Sequence, residues 1–309
     1  MNYTNISEYA DAVAKEALKY LPEKYKEATV KVVSVEKNNG ITYTGIAVMR
    51  PENNIAPTAY LDDLYKWGAS IEEACNHVSS VTLRADLGPI SAEDIRNYDK
   101  IKDMIFPKLV NKEMNRQFLE KKPYTEFLDM AVTYYVRLDC LGNRKGAAST
   151  VVTNDLLNAF GISVEQLHEV ALQNLRGEGY RFTSLSQRIL EMWGCADIYD
   201  LSEDADFLSQ PDDGDDMYVL SNPNEYFGAA VLLNPDAINT VIEKLGDFIV
   251  IPSSVDEIII VPMANEDTQQ ALKDVVKEMN IIGVNPRDVL SNNIYRYETT
   301  SGELEIVAA

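Results

Sequence analysis

A nucleophile needs a base within reach, and this chain offers few combinations that could supply one. Cys75-Asn76-His77 sets a thiol two positions from an imidazole, a pairing that suits thiolate chemistry only if the side chains meet. On a helix, positions i and i+2 lie about 200° apart. The spacing therefore predicts a buried Cys75 and a surface His77. His168 is the second of only two histidines, flanked by Glu165 and Glu169, which is too little for a triad or a His-rich metal site. Zinc would need paired ligands, and Cys75, Cys140 and Cys195 show no CxxC spacing. Asp212-Asp213-Gly214-Asp215-Asp216 suggests calcium, but an EF-hand loop wants acids at alternate positions before its Gly and a Glu six places after it. Pro211, Ser209 and Leu220 stand there instead. No phosphate-cradling GxGxxG or Walker loop and no GxSxG elbow occurs. The expectation is no catalytic residue, no cofactor and no metal.

Charge narrows the partners. The 309 residues carry a net charge of −21, and residues 201–309 hold 21 acidic against 5 basic residues, a balance of −16. Such a surface repels phosphate backbones and favours a protein partner with a basic face. Wide, odd-numbered cysteine spacing points to a reducing cytoplasm. The first twenty residues show helical spacing rather than a signal segment, and no run is long enough to span a membrane.

The elements that would position any site follow from local patterns. Asp62-x-Leu64-x-x-Trp67-Gly68-x-Ser70-Ile71-Glu72-Glu73 returns as Asp155-x-Leu157-x-x-Phe160-Gly161-x-Ser163-Val164-Glu165-Gln166. Each copy predicts helix, corner, helix. Gly closes the first helix in the left-handed region, and Ser with Glu73 or Gln166 forms a capping box on the second. From Ile71 to Leu83 and from Val164 to Leu175 there is no Lys or Arg, so these corners do not suit DNA recognition. The basic stretch Lys100–Lys122 is expected to be a solvated face.

Asn38-Asn39-Gly40 between two β-rich runs predicts a hairpin, and Ser91 with Asp94 predicts another capped helix. Pro107 marks an edge strand within 103–111. Residues 128–138 and 148–152 predict a second hairpin, and β-prone runs recur at 217–220, 228–233, 248–251 and 255–261. Asn234-Pro235 opens one helix and residues 266–279 form the last. These patterns predict an α+β fold of repeated β-hairpin-plus-helix modules, mainly antiparallel, with helices on one face of each sheet. The expected organisation is an N-terminal module (1–122), a central module (123–201), an acidic linker (202–216) and an acidic C-terminal module (217–309).

Several blocks together resemble a clostridial family catalogued as domain of unknown function number 5688. They are Pro123–Ala131, Phe160–Ser163, Tyr218–Asn222, Gly228–Ala230 and Ile251–Glu257, and the likeness extends over nearly the whole chain. The middle of the chain is also similar to an uncharacterised bacillar family sharing the Trp/Phe-Gly-x-Ser corner. The first resemblance implies a setting in gut Firmicutes and their mobile elements. It implies no substrate and no catalytic residue.

The expected function is therefore that of a non-catalytic acidic binding protein. It would act as an adaptor or antagonist, conceivably of a mobile element and by nucleic-acid mimicry, with Asp212, Asp213, Asp215 and Asp216 as partner-binding residues. The alternatives are a metal-assisted hydrolase using Asp212, Asp213 and Asp256, and an assembly module using an apolar strand edge.

Overall fold

The computed structural model describes residues 3–52, 54–84, 91–138, 148–192 and 217–307. Asn5 caps α1 (Ile6–Glu16) by accepting from the Glu8 amide at 3.0 Å. The predicted hairpin follows as β1 (Thr29–Glu36) and β2 (Thr42–Met49), turned by Asn39 and Gly40 at positive φ. Next come β3 (Thr58–Tyr60), α2 (Asp62–Lys66), α3 (Ile71–Arg84), α4 (Ala92–Arg96), α5 (Tyr98–Ile101), β4 (Ile105–Asn111) and α6 (Arg116–Leu119). The middle of the chain holds β5 (Tyr124–Phe127), β6 (Met130–Arg137), β7 (Ser149–Val151), α7 (Asn154–Phe160), α8 (Val164–Glu178), β8 (Arg181–Ser184) and α9 (Leu185–Met192). The last part comprises β9 (Tyr218–Ser221), α10 (Pro235–Leu245), β10 (Phe248–Ile251), β11 (Ile258–Pro262), α11 (Glu266–Ile282), β12 (Tyr295–Glu298) and β13 (Glu303–Ile306). The fold is α+β, and every strand pairing whose register is defined is antiparallel.

The chain forms two compact units. The first comprises residues 1–106, 116–123 and 134–170. Its sheet runs β1-β2-β3, and α1 and α3 cover it through Tyr9, Ala10, Val13, Ala74, Cys75 and Val78 packed on Ile46, Val48, Ala59 and Leu61. Both predicted corners are present in this unit. Gly68 and Gly161 lie at φ 72° and 68°, a conformation that costs glycine little. Ser70 Oγ accepts from the Glu73 amide at 3.2 Å while Glu73 accepts from the Ser70 amide at 2.7 Å. Ser163 and Gln166 repeat the exchange at 3.3 and 2.9 Å. The likeness is local, because the aromatics before the glycines part company. Trp67 is 79% exposed, whereas Phe160 is 8% exposed and lies 5.7 Å from the Tyr98 ring.

The second unit comprises residues 107–115, 124–133 and 171–309. Its large sheet runs β13-β12-β10-β11-β9-β8. Alternate side chains of β10 point to opposite faces, and all four are buried, so this central strand is covered on both sides. On one face Ile249 and Ile251 pack with Val261, Val276 and Ile294. The inner stripe of α11 buries Gln269 and Lys273 with Val276. Their polar ends are satisfied by the Ala264 carbonyl at 2.7 Å and the Val307 carbonyl at 3.1 Å, as burial demands.

Two sequence expectations are corrected here. Residues 228–233 form a 3-10 helix, not a strand; small Gly228, Ala229 and Ala230 are buried and lead directly into the Asn234 cap of α10. The strand expected from Leu128 starts at Met130, because Leu128 sits at φ 56° in the turn between β5 and β6. The extra strand β5 supplies the pairing that fixes that turn.

Candidate functional site

The residues singled out for chemistry are mostly structural. Cys75 is fully buried, its Sγ 3.7 Å from the Val13 carbonyl, and burial pushes the thiol's pKa up, away from the reactive thiolate. His77 is half-buried rather than on the surface. Desolvation lowers its pKa, and a hydrogen bond with the Tyr60 backbone acts in the opposite direction. His168 Nδ1 lies 2.9 Å from the hydroxyl of buried Tyr134, and burial lowers the pKa of this imidazole too. Both histidines are thus held toward the neutral form. Glu165 is exposed, with its pKa lowered by the Ser163 hydroxyl, and Glu169 is exposed. Among the described residues no three His, Cys, Asp or Glu side chains gather as a metal site. Asp212, Asp213, Asp215 and Asp216 lie outside the described residues.

A dense polar constellation that the sequence left unmarked lies in the second unit. Arg181 on β8 and Arg188 on α9 project toward the loop that follows β9. Arg181 reaches Glu225 at 2.9 Å and Glu191 at 2.7 Å; Arg188 reaches Glu225 at 2.6 Å and Glu191 at 3.6 Å. Two guanidiniums and two carboxylates thus alternate in a closed ring, the planar geometry at which Arg excels. Glu257 faces the same shallow cleft, whose enclosed space of about 10 Å3 is room for about one water and which is lined also by Thr183, Val219 and Ser221. Desolvation raises the pKa of Glu257 despite the opposing pull of Arg188.

The loop carrying Glu225 is tightly held. Glu225 and Phe227 both have positive φ, 53° and 54°, unusual for side chains of this size. The Asn222 carboxamide oxygen accepts from the Tyr226 amide and its nitrogen donates to the Tyr226 carbonyl, at 3.2 and 2.9 Å. Asp256 accepts from the Phe227 amide at 2.8 Å, and its carbonyl accepts from Ser221 Oγ at 2.7 Å. Burial raises the Asp256 pKa. At Gly228 a Cβ would lie 2.0 Å from Ser221 Oγ and 2.4 Å from the Asp256 carbonyl, so only glycine fits. Asp256, suggested above as a metal-binding carboxylate, is a bracket for this loop.

A second bracket stands at the turn between β5 and β6. The Asp129 carboxylate accepts from Ser291 Oγ at 2.6 Å, Asn293 Nδ2 at 3.0 Å and the Tyr295 hydroxyl at 2.6 Å. Little local marks Asp129, Arg181, Arg188 or Glu225 for these roles, because apart from Glu191, three positions from Arg188, their partners lie far away in sequence. The available signal was block composition: Pro123–Ala131, Tyr218–Asn222, Gly228–Ala230 and Ile251–Glu257 supply Asp129, Ser221, Asn222, Gly228, Asp256 and Glu257.

In both brackets the hydroxyls of Ser221, Ser291 and Tyr295 serve as donors that hold the chain in place. The ring's guanidiniums are occupied by internal carboxylates, so its chemistry is positional: it pins β8, α9 and the loop after β9 together. Helices α10 and α11 carry unpaired acid on the outside. Asp236 and Glu243 on α10 and Glu266, Asp267 and Glu278 on α11 are exposed and form no ion pair among the described residues. No helix among the described residues is long and apolar enough to cross a membrane.

Residues 6–299 match the profile of a Family of unknown function (DUF5688), so the chain belongs to that family. No curated protein and no solved structure gives a significant match.

Proposed function

We propose that this DUF5688 protein is a non-catalytic binding protein that docks a basic protein surface, as an adaptor or antagonist. The observation carrying this reading is the set of unpaired acids on α10 and α11, Asp236, Glu243, Glu266, Asp267 and Glu278, set against the Asp129 and Asp256 carboxylates, which are engaged with internal donors. Unneutralised charge on an ordered surface raises encounter rates with the opposite charge and does little for folding. Repulsion of phosphate argues against nucleic acid as the partner.

The test is capture from host lysate at increasing salt, using the parent and a variant in which all five acids become Asn or Gln. The parent should retain basic proteins at low salt and lose them as screening shortens to about 8 Å near physiological ionic strength. The variant should lose them throughout. A salt-insensitive partner set shared by both proteins would refute the electrostatic reading.

A further inference from the structure

The outer face of α11 joins its acids to an apolar stripe. Val275, Met279 and Ile282 follow one another at spacings of four and three, so they stack on one side of the helix. They are 53%, 47% and 71% exposed, and neighbouring Ile281 is 83% exposed. The stripe that faces the core, Gln269, Lys273 and Val276, lies about 120° further round the helix. This helix thus carries apolar residues on two sides, and among the described residues only one side is covered. Asp267, Asp274 and Glu278, spaced seven and four apart, form a row along one flank of the exposed stripe. Lys277 approaches Asp274 at 3.9 Å, both side chains being about half exposed or more, and such a pair neutralises little.

We propose that this face is a docking surface for an amphipathic helix of a partner, with an apolar seam flanked by Lys or Arg. The proposal rests on the basic-partner reading above and gives it a location. A 3–4 apolar spacing is the pattern that a second helix fills, with charges beside the seam setting partner choice. Met279 adds an adaptable thioether to the seam. Charge complementarity selects the occupant. A second copy of this chain would bring acids to a surface already acidic in a molecule of net charge −21. A membrane-surface helix carries Lys and Arg on its polar face, and this one carries a row of acids.

The test uses two labelled helical peptides of about 18 residues, roughly five turns, with the same leucine seam and either Lys or Glu along its flanks. The parent should bind the Lys peptide at least about tenfold more tightly than the Glu peptide. V275Q/M279Q/I282Q should lose that binding at every salt concentration. D267K/D274K/E278K should reverse the preference toward the Glu peptide, which a misfolded variant would not do. Equal binding of both peptides by the parent, or unchanged binding by the apolar variant, would overturn the proposal. So would concentration-dependent dimerisation abolished by V275Q/M279Q/I282Q, or binding to phosphatidylcholine/phosphatidylserine vesicles in preference to the Lys peptide. Salt-sensitive lysate capture that survives V275Q/M279Q/I282Q would leave the general function standing while removing this surface from it.

Discussion

The Tyr295 hydroxyl donates a 2.6 Å hydrogen bond to Asp129 across 166 positions of the chain, tying β12 to the turn between β5 and β6 within the second unit. Tyr295 is fully buried, and Ser291 and Asn293 complete the carboxylate's donor set. Tyr295→Phe should cost about 1–2 kcal/mol, since Asp129 keeps two donors. Asp129→Ala should cost more, about 3 kcal/mol, because it orphans several donors at once. Urea melts of both single variants and the double variant measure the coupling. Burial and the Asp129 charge raise the Tyr295 pKa. A raised folded pKa gives stability that is present below the unfolded value near 10 and lost as pH rises through the folded one. The parent should therefore lose stability in alkali, and Tyr295→Phe should lose less.

The two capping boxes should respond differently to acid. Ser70→Ala and Ser163→Ala should each cost about 0.5–2 kcal/mol. Glu73 has its pKa lowered by hydrogen bonds from the Ser70 backbone and side chain. A depressed carboxylate contributes stability above the unfolded pKa and loses it as pH falls through the folded value. The cost of Ser70→Ala should shrink in acid. The Ser163 hydroxyl also lowers the pKa of Glu165, so part of the Ser163→Ala cost should fade in acid as well. In an E165Q background it should be nearly pH-independent, since Gln166 does not titrate. Denaturant melts at pH 7 and pH 3 decide this, and equal pH responses for Ser70→Ala and for Ser163→Ala in the E165Q background would contradict it.

At Glu257 the sign is opposite. Its pKa is raised chiefly by desolvation, so the ionised form is disfavoured by folding. The group's contribution is present below the unfolded pKa and is lost as pH rises through the folded one. Glu257→Gln, which mimics the protonated carboxyl, should therefore be more stable than the parent at pH 7 and indistinguishable from it below pH ~4. Thermal melts across that range measure the crossover.

Gly228→Ala should be among the most damaging single-methyl changes in the molecule. The new Cβ would meet Ser221 Oγ at 2.0 Å and the Asp256 carbonyl at 2.4 Å. Overpacking of this kind typically costs about 1–3 kcal/mol, and backbone cannot swing aside as a side chain can. Gly161, with nothing within 4 Å but φ 68°, should tolerate Asn better than Ala. Comparing the midpoints of G228A, G161N and G161A separates steric from conformational demand.

What the residues alone determined is what near neighbours decide. Asn38-Asn39-Gly40 turns a hairpin, Ser70 and Ser163 cap the helix after each corner, and Asn234-Pro235 opens α10. Each rests on hydrogen bonds or φ preferences spanning a few residues, which local sequence encodes completely. The third dimension decided the rest. β8 and α9 were not anticipated, nor was the β12–β13 hairpin, and Gly228–Leu233 became a 3-10 helix. A short segment's state depends on what buries it, and that partner stands far off in the chain. The Asp129 and Arg181–Arg188 constellations were invisible for the same reason. A carboxylate's role is set by the donors that folding brings within 3 Å, and those of Asp129 arrive from more than 160 positions away.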